Sequence, residues 1–180
     1  MNKNVSLVTL GCAKNLVDSE YLITGLKHVG YTIDADINKS DTIIINTCGF
    51  LDIAREESIN KIIEIEKRKK EGKVKKVIVM GCLSERYGDD LQKELPLIDK
   101  FFGSEEHEAV IKYISGKPFS LDDPDIIRAS LTPSHYSYLK IAEGCDNGCS
   151  FCSIPLMRGL QKSQPLRWNV EEAKRLASRG

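Results

Sequence analysis

Three cysteines in the first half of the chain stand in the same local context. Cys12, Cys48 and Cys82 each follow a mostly β-branched run that predicts a strand, and each precedes a helical pattern. The carboxyl ends of parallel strands share one sheet edge, where α/β proteins bind ligands. A single such cysteine is often just a small buried residue, but three favour a ligand set. Gly11 and Gly81 support this interpretation, because glycine lets the backbone pass close to a bulky group.

The other three cysteines form a compact motif, Cys145-Asp-Asn-Gly-Cys149-Ser-Phe-Cys152. Thiolates suit iron–sulfur clusters and zinc. Structural zinc uses four ligands, usually in paired CxxC spacing, and no second pair follows here. His135 precedes the predicted strand, at its wrong end for a fourth ligand, so we interpret it as an ordinary buried or loop residue. Three thiolates on a four-iron cluster leave one iron open, which predicts a reactive site.

Composition limits the class of protein. The chain has 180 residues, of which 41% are hydrophobic and 29% charged, and this excludes a disordered tail, a collagen-like repeat and a disulfide miniprotein. No apolar run is long enough to span a bilayer and no signal segment opens the chain, which predicts a cytoplasmic protein with no membrane partner. Six cysteines in a reducing compartment point away from disulfides.

Charge gives no whole-chain attraction to nucleic acid, since 26 basic residues balance 26 acidic ones. The basic run at 67–76 is interpreted as the solvated end of a helix, where the helix dipole favours cations. An RNA-binding role for this run is the less favoured alternative.

The elements that must position the first cysteines alternate between short strands and longer helices, which predicts a parallel-sheet α/β domain over 1–115. The predicted strands are 5–10, 31–34, 42–45, 76–80 and 100–102. The predicted helices are 19–29, 52–71, 86–95 and 105–114.

A second unit follows a linker. Residues 116–135 contain three prolines and break the pattern. Residues 136–180 then predict one βα unit, with a strand over 136–142, the cysteine loop and a helix over 170–178. One βα unit cannot bury both faces of its strand. It either adds to the first sheet or opens a longer domain, and the second alternative is favoured.

The cysteine loop, with Phe151 before its last cysteine, resembles the cluster loop of radical S-adenosylmethionine (SAM) enzymes. The continuation Ile154–Gly159 (IPLMRG) is similar to the methylthiotransferases, whose N-terminal domain carries three further cysteines. Gly11–Glu20 (GCAKNLVDSE) and Gly81–Tyr87 resemble the RimO type, which modifies an aspartate of a small-subunit ribosomal protein. The family's Ser-Arg-Pro is Ser-Gln-Pro at 163–165 here, so one positive charge is lost.

The resemblance implies two [4Fe–4S] clusters and SAM. The first βα unit of a radical SAM barrel would begin at residue 136. The implied metal ligands are Cys145, Cys149 and Cys152 for the cluster that binds SAM, and Cys12, Cys48 and Cys82 for the second cluster.

The resemblance also implies roles for residues beside the clusters. Phe151 and Arg158 are the implied SAM-binding residues, with a contact to the loop backbone or a surface ion pair as alternatives for Arg158. Asn15, Asn46, Asp18 and Ser19 would orient the second cluster. Capping of the first helix is an equal alternative for Asp18 and Ser19.

The implied reaction adds a methylthio group to the β-carbon of an aspartate in a small-subunit ribosomal protein, with an electron donor such as flavodoxin or ferredoxin. A tRNA adenosine substrate is one alternative, and a catalytically incomplete iron–sulfur or zinc-binding fragment is another. Any RNA contact would come through a C-terminal domain outside this chain. Because 180 residues cannot close a barrel of the family's size, the chain alone is expected to bind clusters without turnover.

Overall fold

Five strands form one parallel sheet in the computed structural model, which describes residues 3–120 and 127–179. In chain order the elements are β1 (Asn4–Thr9), α1 (Ala13–His28), β2 (Thr32–Ile33), β3 (Thr42–Thr47), α2 (Asp52–Lys70), β4 (Lys76–Gly81), α3 (Cys82–Glu94), β5 (Lys100–Phe101) and α4 (His107–Ser115). The strand order is β2-β1-β3-β4-β5, and every pairing is parallel. The predicted parallel α/β fold is confirmed.

The sheet is buried on both faces, which explains why its central strands are continuous apolar runs rather than alternating ones. Ile43 and Ile45 of β3 point into one core with Ile62 and Ile65 of α2. Ile44, between them, points into the opposite core, which also contains residues of α1 and α4. Helices therefore cover both sides, and the strand order reverses between β1 and β3.

Two of these four helices begin earlier than the sequence predicts. Helix α1 begins at Ala13 rather than at residue 19, and α3 begins at Cys82 rather than at residue 86. Neither helix has a side-chain cap, since Cys12 and Gly81 occupy the cap positions without making such a hydrogen bond. The usual sequence signal for a helix start is thus missing at both junctions.

The second unit contains β6 (Ala142–Glu143), α5 (Ile154–Arg158), β7 (Lys162–Ser163) and α6 (Leu166–Ala177). Strands β6 and β7 pair antiparallel in their own two-stranded sheet, so this unit does not add to the first sheet. The prediction of a strand over 136–142 is wrong for 136–141. Within the described ranges those residues pair with no strand, and the segment instead turns Lys140 inward onto carboxylates.

Part of the predicted linker packs against α1. Backbone N–H groups of Ala129 and Leu131 donate to Thr24 Oγ1 and Glu20 Oε1 at 2.7 and 2.8 Å. Residues 121–126, with one of the three linker prolines, lie outside the described residues. Among the helices of 3–120 and 127–179, none is long and apolar enough to cross a membrane.

Candidate functional site

Three consecutive strand–helix junctions bring three thiols to one cavity. Cys12 occupies the N-cap of α1, Cys48 follows the last residue of β3, and Cys82 is the first residue of α3. The cavity measures about 460 Å³ and lies at the carboxyl ends of the strands. Its lining comprises Gly11, Cys12, Lys14, Cys48, Phe50, Leu51, Ala54, Cys82, Ile154, Met157 and Arg158. The edge between β1 and β3, where the strand order reverses, is where open α/β sheets bind ligands.

Two glycines permit the close approach of the three junctions. Gly11 and Gly81 have φ values of 92° and 105°, a region that disfavours other residues. A Cβ at Gly81 would lie 2.5 Å from the Thr47 carbonyl oxygen and 2.6 Å from Asn46 Oδ1. The β3 and β4 junctions therefore lie in direct contact at Gly81.

Asn15 holds the site together from α1. Its Nδ2 donates to the carbonyl oxygens of Leu10 and Thr47, both at 2.9 Å, which joins the ends of β1 and β3. Its Oδ1 lies 3.9 Å from Cys12 Sγ and 3.8 Å from Cys82 Sγ. Because the amide donors are fixed by backbone, the amide oxygen faces two of the three thiols.

Asn46 supports this arrangement from β3. Its Nδ2 donates to the Asn15 carbonyl oxygen at 2.9 Å and to Ser19 Oγ at 3.0 Å. Thr9 also donates to Ser19, at 2.7 Å. Ser19 is therefore buried in the middle of α1, and the alternative that it caps the first helix is wrong.

Arg158 reaches this site from α5. Its Nε donates to Cys82 Sγ at 3.1 Å, its Nη1 to Asp18 Oδ2 at 2.6 Å, and its Nη2 to Asn15 Oδ1 at 2.6 Å. Burial raises the pKa of the Cys82 thiol to about 11, although the Arg158 charge acts in the opposite direction. Burial thus favours the thiol of Cys82 over the thiolate.

The charge of Arg158 belongs to a buried network centred on Asp18. Lys140 Nζ lies 2.8 Å from Asp18 Oδ1 and 2.6 Å from Glu143 Oε2. Burial alone would raise the pKa of Asp18, but His107, whose Nε2 lies 3.6 Å from Asp18 Oδ1, and the charges of Lys140 and Arg158 hold it well below its ordinary value. Asp18 is thus ionised and mid-helix, so its interpretation as a helix cap is also wrong.

Three carboxylates of the network resemble a cation site. The ligand oxygens of Asp18, Glu105 and Glu143 lie within 4.8 Å of one another. Lys140 and Arg158 form ion pairs with all three, so the protein supplies the cations itself. Among the described residues, no other three histidine, cysteine or carboxylate ligand atoms lie this close together, those of the two cysteine triads included.

The Cys145–Cys152 loop lies between β6 and α5. Its first cysteine is tied to the end of α5, because the Cys145 N–H donates to the Gly159 carbonyl at 3.1 Å. A turn joins the other two cysteines of the loop, because the Cys152 N–H donates to the Cys149 carbonyl oxygen at 3.1 Å.

Helix α5 is in turn attached to the parallel-sheet unit. Ser104 Oγ donates to the Met157 carbonyl at 2.7 Å, and Arg86 Nη1 donates to Ser153 Oγ at 2.9 Å. The loop that carries the second triad is therefore anchored to the domain that carries the first.

Two residues assigned to SAM by resemblance lie in different surroundings. The Phe151 side chain is 89% exposed on the cysteine loop. Arg158 is buried and contacts the first triad, so the alternative of a surface ion pair is wrong. His135 packs against Tyr136, with ring centroids 5.1 Å apart.

Sequence reasoning missed Lys140, Glu143, Glu105 and His107. The available signal was a lysine inside an otherwise apolar, strand-like run before the cysteine loop. A buried lysine requires a carboxylate partner, but the sequence does not say which of the many carboxylates provides it.

Fold and site together define an α/β domain that gathers three thiols at the carboxyl edge of its parallel sheet. Residues 4–103 match the family described as Uncharacterized protein family UPF0004, and the chain belongs to that family.

Relatives named ribosomal protein uS12 methylthiotransferase RimO are similar along nearly the whole chain. The relative from Chloroherpeton thalassium is 47% identical over 176 residues, and the match covers 97% of this chain and 40% of the relative. Those from Cytophaga hutchinsonii and Anaeromyxobacter sp. (strain K) are 46% and 43% identical, with 98% and 100% of this chain and 40% of each relative covered. The resemblance to the RimO type is confirmed, and the chain spans about 40% of the length of these relatives.

Proposed function

We propose that this chain is part of a methylthiotransferase that adds a methylthio group to the β-carbon of an aspartate in ribosomal protein uS12. The observation that carries the proposal is the convergence of Cys12, Cys48 and Cys82 on one cavity. The names of relatives 43–47% identical to the chain support the reaction and the substrate.

The donor set of the first triad fits an iron–sulfur cluster better than a single ion. Its three ligands are thiols, which suit iron–sulfur chemistry, whereas structural zinc uses four ligands. The cavity of about 460 Å³ in front of them has room for a larger group. Cys12, Cys48 and Cys82 would hold one [4Fe–4S] cluster in this proposal.

The second triad, Cys145, Cys149 and Cys152, would hold the other [4Fe–4S] cluster, with SAM beside it and Phe151 at the SAM site. When bound, the clusters and SAM supply the electron transfer, the radical chemistry and the sulfur and methyl groups. A flavodoxin or ferredoxin type of protein would supply the electron. In domain terms, 1–115 would carry the first site, 116–135 would connect, and 136–180 would begin the radical SAM domain.

The chain's own residues would position and shield these groups. Asn15 donates through its amide N–H groups to the carbonyl oxygens of Leu10 and Thr47, which holds together the two strand ends that precede Cys12 and Cys48. Leu51, Ala54 and Met157 give the cavity an apolar wall, which limits the access of water to a bound group. Arg158 provides a fixed N–H donor to Cys82.

The test is a methylthiolation assay on a protein of the relatives' full length, with uS12 and tRNA offered in separate reactions. Mass spectrometry of both substrates should find the methylthio group on an aspartate of uS12 only. A Cys12→Ser/Cys48→Ser/Cys82→Ser variant should abolish the product, whereas Ser178→Ala, at an exposed position after α6, should not. A methylthio product on tRNA alone, or a fully active triple variant, would contradict the proposal.

A further inference from the structure

One side chain connects the two cysteine sites. Arg158 is the last residue of α5, the helix that follows the Cys145–Cys152 loop, yet its guanidinium lies in the first site against Cys82. The two residues are separated by 76 positions in the chain. Arg158 therefore belongs to one triad by sequence and to the other by contact.

The direction of this contact is fixed by the other two nitrogens of the guanidinium. Nη1 is held by Asp18 and Nη2 by Asn15, both at 2.6 Å. Because a guanidinium is planar and rigid, fixing two nitrogens also fixes where the Nε–H points. That N–H points at the sulfur of Cys82, 3.1 Å away.

The surrounding ion pairs do not require this contact. Lys140 also pairs with Asp18 and Glu143, in the same buried network, with no bond to a cysteine. An arginine that served only to balance the carboxylates would need no donor aimed at a thiol. The N–H to sulfur contact is thus a separate feature of Arg158.

We propose that Arg158 is a positioning residue for the first cysteine site, which donates an N–H···S hydrogen bond to the Cys82 ligand and fixes α5 and the second cysteine loop relative to it. The inference rests on the proposed function in that a cluster occupies Cys12, Cys48 and Cys82. A hydrogen bond to a ligand sulfur stabilises the reduced, more negative cluster, so Arg158 raises its reduction potential.

The test measures the reduction potential of the first cluster alone. The parent is the 180-residue chain with Cys145, Cys149 and Cys152 replaced by alanine, reconstituted anaerobically with iron and sulfide. Arg158→Met removes the donor and the charge, while Arg158→Lys keeps the charge and loses the fixed N–H. Lys140→Met is the matched control, because it removes a buried charge from the same carboxylates without touching sulfur.

We expect Arg158→Met to shift the potential to more negative values, Arg158→Lys to shift it less, and Lys140→Met to shift it least. Two results would overturn the inference while the proposed function stands. One is an equal shift of the reduction potential in Arg158→Met and Lys140→Met, and the other is an unchanged potential in both Arg158 variants. If Arg158→Met does not fold, the potentials of Arg158→Lys and Lys140→Met are compared instead. A larger shift in Arg158→Lys supports the inference, and an equal or smaller shift overturns it. A parent that binds no iron would overturn both the inference and the proposed function.

Discussion

The backbone of Gly11 packs directly against the side chain of Cys48. A Cβ at Gly11 would lie 2.4 Å from Cys48 Cβ and 2.9 Å from Cys48 Sγ. Gly11 ends the β1 junction and Cys48 follows β3, so this contact closes the edge of the sheet where its strand order reverses. Two of the three thiols can share one cavity because residue 11 has no side chain.

Gly11→Ala should therefore destabilise the fold and the site together. The positive φ and the clash with Cys48 each cost free energy, and we expect a loss of about 3 kcal/mol in the free energy of unfolding. Urea unfolding measures this loss, and iron content after reconstitution measures the site. Gly72→Ala is the control, with φ of 74° and no atom within 4 Å of an added Cβ. Equal losses in both variants would show that the Cys48 contact is unimportant.

The Asp18 network should make stability depend on acid pH. The folded-state pKa of Asp18 lies well below its ordinary value of 3.8, so the unfolded state binds protons first as the pH falls. The contribution is complete above the unfolded-state pKa and is lost as the pH falls from about 4 towards the folded-state pKa. Urea unfolding between about pH 7 and pH 3 should show this decline in the wild type.

Asp18→Asn should reduce both the stability at neutral pH and its decline in acid. Removing one member of a buried ion pair costs about 3 kcal/mol, at the lower end of the usual range because Glu143 still faces Lys140. Glu71→Gln, which removes an exposed carboxylate paired with Lys73, should leave the curve as in the wild type. An Asp18→Asn curve with the wild-type slope below pH 4 would refute the role of the network.

Two further buried ion pairs, both made by Arg128, connect α6 to α1. Arg128 Nε lies 3.0 Å from Glu172 Oε1 and 3.4 Å from Glu20 Oε2, and all three side chains are buried. Arg128→Met would leave two carboxylates without this cation, which should cost about 3–5 kcal/mol in the free energy of unfolding. Lys174→Met, which breaks an exposed pair on α6, should change it little. Similar effects of the two substitutions would contradict a structural role for Arg128.

The sequence predicts the sheet and the approach of the first three cysteines, because both follow from periodicity and from the rule for parallel strand ends. The residues at which the helices begin are harder to predict. Asp18 and Ser19 are typical cap residues, but they lie inside α1, which begins at Ala13 after an N-cap, Cys12, that makes no side-chain hydrogen bond. Partners distant in sequence hold both residues inside the helix, since Asp18 pairs with Lys140 and Arg158 and Ser19 accepts hydrogen bonds from Thr9 and Asn46.

Contacts between the two units could not be predicted from the sequence. Arg158 follows the second triad in sequence, and nothing in its local pattern indicates the ion pair with Asp18 or the contact with Cys82. Lys140 lies in a strand-like, mostly apolar run, and this pattern does not indicate which carboxylates its charge contacts. Such pairings depend on where elements distant in sequence meet, and local patterns do not encode that.

Iron and sulfide per chain after anaerobic reconstitution test the central claim most directly. The wild-type chain should bind about eight irons, and Cys12→Ala/Cys48→Ala/Cys82→Ala should bind about four, since each triad holds one four-iron cluster. Cys145→Ala/Cys149→Ala/Cys152→Ala should also bind about four. Zinc in place of iron, or iron content unchanged by loss of the first triad, would contradict a cluster at the carboxyl edge of the sheet.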